Sequence, residues 1–466
     1  MHRMMIAVGI LLISSVSGWA GESAVVMPIG AMNKGQIGQG GAIKDQAQAK
    51  LAFIRRQLAI ALKDSGLLSK LFDSKNKLQQ TIMDDIDAYL LTYGELAISA
   101  EAYEMAARLY QKHNSKKAIV SYLHLLRLYP GSTIHGRADK AVRKLLAEED
   151  ASFIKVVNPV LAAGKAGGSG FARQWLDLLL SLSTLSGDDI DSVIAKSCRA
   201  FLLRYPDHPG ADMVQKILAD HAQQDSNVAI YQYRKLLSLY PHSLQRANSL
   251  LTIANIQRLH MKKYEDAVVS YKTVIHDYPS SAAARSAYES MAITYEKNIR
   301  DYPAAVAINR QIVNKYEAQA VVQRALKRMA DIQKEKLHEY AKAIASYRKL
   351  ADMFEGEQAL NALRSAAHIA AVKVKDYKLA IEINEQIVRD SSDEKIAGQA
   401  MLDIAGIYEY RLKSKPAAIK AYERVVREYP DSRQAKTAAK ALARLTAKPK
   451  KGGGFPKIPV PSWLPG

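Results

Sequence analysis

The stretch Ala118–Ser132, "AIVSYLHLLRLYPGS", decides the fold because the chain writes it again: "AIYQYRKLLSLYPHS" from Ala229, "AVVSYKTVIHDYPSS" from Ala267 and "AIKAYERVVREYPDS" from Ala418. Aligned on the opening small residue, the copies start at Ala118, Ala229, Ala267, Ala305, Ala343, Ala380 and Ala418. From Ala229 the steps are 38, 38, 38, 37 and 38. Such a fixed period marks a stacked array, in which each unit buries its apolar face against its neighbours. The 111-residue gap before Ala229 hides an eroded copy, "SCRAFLLRYPDHP", whose Pro206 lies 76 residues beyond Pro130.

Within one copy, Ala418, Ile419, Tyr422, Val425, Val426 and Tyr429 fall on one helical face. Pro130, Pro206, Pro241, Pro279 and Pro430 end these helices, since proline lacks the amide hydrogen and drives the preceding residue to an extended backbone. Ser132, Ser243, Ser281 and Ser432, two residues further on, are placed to cap the next helix. A second apolar-periodic run precedes each marker, as in "AGQAMLDIAGIYEYRLKSK". The expected fold is therefore all-α, each unit an antiparallel helix pair.

These residues resemble the tetratricopeptide repeat family. The last unit supplies Gly406, Ala418, Tyr422 and Pro430, while Tyr264, Tyr302, Tyr340 and Tyr377 stand at the aromatic position before the second helix. The resemblance covers residues 99–447 and implies a helix-pair solenoid, a right-handed superhelical array of period 37–38. The long unit and the "YP-x-S" ending after an export signal are similar to bacterial envelope proteins of the family, of the barrel-assembly lipoprotein and Tol-Pal coordinator types. Two features depart from them: no cysteine follows the leader to carry a lipid, and the apolar spacing of Leu51, Ile54, Leu58 and Ala61 breaks at Ser65 and Gly66, short of a sustained coiled coil. The resemblance implies a non-enzymatic scaffold.

The 466 residues are 48% hydrophobic and carry a formal charge of +20, which favours anionic partners: acidic protein segments, lipid head groups, wall polymers or nucleic acid. The opening "MHRMMIAVGILLISSVSGWAGES" narrows these. Arg3, an apolar run from Met4 to about Val16, and small Gly18 and Ala20 make a secretory signal over residues 1–20, the run being too short for the roughly 20 residues that span a bilayer. Export to the periplasm or envelope of a Gram-negative bacterium is the expectation, which disfavours nucleic acid as partner. Cys198, the single cysteine, leaves no internal disulfide. It stands where Tyr122, Tyr233, Tyr271, Tyr347 and Tyr422 stand in their units, with Asn309 and Asn384 at the same place in theirs, and is read as a buried, inert thiol.

The expected organisation is a flexible leader at 21–41, N-terminal helices and a first repeat at 42–163, a glycine-rich break at 164–171, the main array with a terminal helix at 172–448 and a Gly/Pro-rich tail at 449–466. No catalytic constellation is found. There is no HExxH, P-loop or GxSxG, Pro130 separates His135 from His113 and His124, and His260, His276 and His338 lack ligand partners at metal spacing, so no cofactor, metal or enzymatic activity is expected.

Seven residues before each marker stand Gln111, Ala222, His260, Asn298, Lys336, Lys373 and Arg411, a position that becomes cationic toward the C-terminus. The resemblance implies that this neighbourhood lines a concave groove gripping peptide carboxylates, with Lys297, Arg328 and Tyr410 at other groove-facing places. Cations are also favoured at any helix C-terminus by its dipole, and both readings stand. A second basic surface, Arg433, Lys436, Lys440, Arg444 and Lys448, steps by 3, 4, 4 and 4 along the last helix. It fits either an anionic head-group or wall-polymer surface or a solubilising cap. Two functions follow: a scaffold for protein segments in envelope assembly or division, or an accessory protein that holds an anionic polysaccharide, wall polymer or lipid surface.

Overall fold

The structure is a computed structural model that describes residues 39–63, 72–163, 170–185, 187, 190–317 and 320–447. The signal, nearly all of the leader, the glycines of 164–169 and the tail lie outside these residues. The described chain is helical throughout, without a strand. It divides into two compact units, residues 1–221 and 222–466.

The first unit holds α1 (Gln39–Lys63), α2 (Phe72–Tyr93), α3 (Ala100–Tyr110), α4 (Ser115–Leu128), α5 (His135–Leu146), α6 (Ala151–Ala162), α7 (Phe171–Leu182), α8 (Asp191–Arg204) and α9 (Ala211–Asp220). Leu51, Ile54 and Leu58 of α1 pack with Ile82 and Ile86 of α2 and with Met105 and Leu109 of α3. A ladder of rings, Tyr129, Phe171, Trp175, Phe201 and Tyr205, each within 6 Å of the next, ties α4 to α7 and α8. From α8, Lys196 reaches Asp87 of α2 at 2.6 Å and Arg204 donates to the Leu91 carbonyl at 2.7 Å.

The second unit holds α10 (Ser226–Leu239), α11 (Arg246–Leu259), α12 (Tyr264–Asp277), α13 (Ala282–Ile293), α14 (Tyr302–Lys315), α15 (Ala320–Glu335), α16 (Tyr340–Met353), α17 (Glu357–Ile369), α18 (Tyr377–Asp390), α19 (Glu394–Gly406), α20 (Lys415–Glu428) and α21 (Arg433–Thr446). From α11 they pair in order, one apolar core running from Ala254 to Ile407. The marker alanines explain the tight stacking. Ala229, Ala267, Ala305, Ala343, Ala380 and Ala418 are all fully buried, so the neighbouring helix lies against a methyl group. Tyr264, Tyr302, Tyr340 and Tyr377 each open the second helix of a pair.

Three of the tyrosines four residues past the marker are buried with their hydroxyls donating to a neighbouring side chain: Tyr271 to Asn255 at 2.7 Å, Tyr347 to Asp331, and Tyr422 to Glu409 at 2.8 Å. Asn309 and Asn384 instead donate to the carbonyls of Ala305 and Ala380, each at 2.8 Å. Cys198 is buried and free, and burial pushes its thiol well above the ordinary range.

The caps divide. Ser281 and Ser432 accept from Ala284 and Ala435 as expected. Ser132 and Ser243 do not cap: they accept from Ile134 and Gln245 within a turn, and their helices start only at His135 and Arg246. The first helix of a pair ends on a feature absent from the sequence reading. Lys262, Arg300, His338, Lys375 and Lys413, one per repeat, all have positive φ between 52° and 64°. Each sits in a wide turn, closed by bonds such as Lys263 N–H to the Gln257 carbonyl, Glu339 to Gln333 and Ser414 to Tyr408. In three repeats the end of the first helix widens into a π-turn, at Thr294–Ile299, Ala370–Val374 and Ile407–Arg411.

Candidate functional site

The first helices of three successive pairs, α15, α17 and α19, line a cavity of about 690 Å³ together with Asn384 of α18. Lys334 comes from α15, Asn361, Arg364, Ser365 and His368 from α17, and Gln399 and Asp403 from α19, with Arg411 in the π-turn that follows. Residues 399, 403, 407 and 411 recur every four positions, so one helical face carries them all into the cavity.

Cations outnumber acids in the lining, and the one acid is a carboxyl that titrates within the mildly acidic range. Three cations, Lys334, Arg364 and Arg411, face one carboxyl, Asp403, which accepts from Gln399 Nε2 at 2.8 Å. Burial pushes Asp403 up to about 6, against the opposing pull of the Gln399 bond and the Arg364 charge. His368 is held below its ordinary range by burial and by the charges of Lys334 and Lys373. The amides of Asn361 and Gln399 add groups that both donate and accept, the pattern an extended peptide backbone needs.

The six groove residues expected from the sequence do not form a single line. Arg411 lines the cavity. Lys373 stands near enough to act on His368, and Lys336 is exposed beyond the end of α15. Lys297 and Arg328 both pair with Glu296, at 2.6 and 3.2 Å, and Nη1 of Arg328 is buried without a partner. Tyr410 accepts from Arg444 at 2.9 Å, and the Arg444 guanidinium lies over its ring.

That contact divides the basic stripe of α21. Arg433, Lys436 and Lys440 are exposed opposite buried Ala435 and Ala438, while Arg444 turns inward to Glu409. Lys448 lies outside the described residues. The sequence reading missed Lys334, Arg364, His368 and Asp403, although a face drawn back from Arg411 in steps of four reaches Asp403.

Among the described residues, no helix is long and apolar enough to cross a membrane. The tetratricopeptide repeat family matches at residues 248–281 and 399–432, so the pairs α11–α12 and α19–α20 each carry a tetratricopeptide repeat. No curated protein matches it. Among solved structures it is similar to the C-terminal part of a tetratricopeptide repeat-containing protein from Cytophaga hutchinsonii, at 14% identity over 56% of this chain and 98% of that one, with a TM-score of 0.33. A tetratricopeptide repeat protein from Parabacteroides merdae aligns at 14% identity over 59% and 100%, TM-score 0.30. The human IFIT1 dimer with m7Gppp-AAAA aligns at 14% identity over 87% and 88%, TM-score 0.28.

Proposed function

We propose that the protein is a non-enzymatic scaffold of the bacterial envelope that holds an acidic protein segment in the cavity lined by α15, α17 and α19. The observation that carries this reading is the convergence of Lys334, Arg364 and Arg411, from three repeats, on a cavity that also offers side-chain amides. Charge-assisted hydrogen bonds from such cations to carboxylates are about twice as strong as neutral ones. Export is supported by the leader, with Arg3, the apolar run and Ala20 in signal-peptide order.

The test is capture from a Gram-negative envelope extract with the chain from Gly21 onward, beside Arg364→Glu/Arg411→Glu. A defined protein held by the first and lost from the second supports the reading. Equal capture by both sinks it. A second reading, attachment to an anionic wall polymer or head-group surface, is favoured by the exposed cations Arg433, Lys436 and Lys440. It predicts material that elutes with salt and is lost when those three become Glu.

A further inference from the structure

The first unit has a cavity of its own. It measures about 260 Å³ and lies among α2, α3, α4, α7 and α8. Its walls are mostly hydrocarbon: Leu90 and Leu91 on one side, Val193, Ala200 and Leu203 on the other, and Trp175 beneath.

The polar groups at its base satisfy one another. The Val120 carbonyl can only accept, so at 2.8 Å it takes the proton of His124 Nδ1, which leaves Nε2 as an acceptor. Ser197 Oγ–H then donates to Nε2 at 2.7 Å, and Trp175 Nε1–H donates to Ser197 Oγ at 2.8 Å. Ser121 donates to the Lys117 carbonyl at 3.0 Å. A guest is therefore met mainly by apolar walls.

The mouth differs. Lys196 and Asp87 are paired at 2.6 Å and cancel, while exposed Arg199 adds a positive charge. Leu203, also at the cavity, is 69% exposed and extends the apolar wall to the rim. At about 30 Å³ per water-sized group the space holds roughly nine such groups, the bulk of a chain of about eight to ten carbons.

We propose that this pocket binds a small amphipathic anion, with its hydrocarbon body between α2 and α8 and its carboxylate against Arg199. Apolar walls supply the affinity by removing the chain from water, and Arg199 selects the head group.

The test uses the full chain with Trp19→Phe and Trp463→Phe, so that Trp175 is the sole tryptophan, titrated with decanoate, decanol and decylamine. Saturable change in Trp175 emission is expected, tightest for decanoate and weakest for decylamine. Arg199→Glu should weaken decanoate about tenfold and leave decanol nearly unchanged. Ala200→Phe should block all three, with Leu203→Glu as a second variant at the exposed rim that weakens decanoate without loading the core. No saturable signal from any probe overturns the proposal, as does binding that survives both Ala200→Phe and Leu203→Glu in folded protein. Decylamine binding as tightly as decanoate overturns the role of Arg199. Binding of a leucine-containing peptide but of none of the amphiphiles makes the cavity a side-chain socket instead.

Discussion

The marker alanines and the left-handed turn residues act in opposite directions on stability. Ala343 is fully buried between helices, so Ala343→Leu must either displace a neighbour or leave its rotamer. A loss of about 1–3 kcal/mol is expected, read as a lower urea midpoint. Lys375 and Lys413 lie at φ of 62° and 52°, where a side chain's Cβ crowds the backbone. Glycine removes that crowding, at some cost in unfolded-chain entropy, and Lys375→Gly is expected to raise stability by about 0.5–1 kcal/mol in the same measurement. The alanines were legible because a buried position repeats in every copy. The left-handed residues repeat with the same spacing, yet as Lys, Arg or His they carry no glycine signature.

At the scale of the helix, legibility depended on whether a position serves the core or the groove. Tyr271, Tyr347 and Tyr422 recur because the core is the same in each repeat. Lys334 does not: the residue nine before the marker is Glu296, Lys334, Ala371 and Glu409 in successive repeats. Glu296 and Glu409 fold cations back onto the repeat, whereas Lys334 lines the cavity and pairs only loosely, at 3.7 Å, with the exposed Glu335 beside it. Only the positions of neighbouring helices in space could assemble that group.

Asp403 gives the site its pH dependence. Its folded pKa, about 6, lies above the ordinary aspartate value, so the folded form holds the proton more tightly and stability falls as pH rises from about 4 to 6. Asp403→Asn should stabilise the second unit at pH 7 by roughly 2 kcal/mol and flatten that slope. The same protonation removes the one negative charge of the cavity, so capture of an acidic segment should tighten below about pH 6, and Asp403→Asn should hold it tight at pH 7. Binding that weakens on acidification would contradict this.

At the scale of the whole chain, two compact units with separate cores predict separable unfolding transitions, and acid should tell them apart. His124, in the first unit, is 1% exposed and lowered to about 4, because burial penalises its charged form. Unfolded, it titrates near 6.5. Between those values the unfolded chain binds the extra proton, so the first unit's stability is whole above about pH 6.5 and falls by roughly 3 kcal/mol toward pH 4. The second unit runs the other way through Asp403 over much of that range, offset in part by His368, whose lowered pKa costs stability on acidification. Urea melts at pH 7 and pH 4.5 should therefore show one transition moving to lower denaturant while the other holds or rises. His124→Gln should remove most of the acid sensitivity of the first. Were both transitions to move down together, and His124→Gln to leave them unchanged, neither the burial of His124 nor the independence of the two cores would survive.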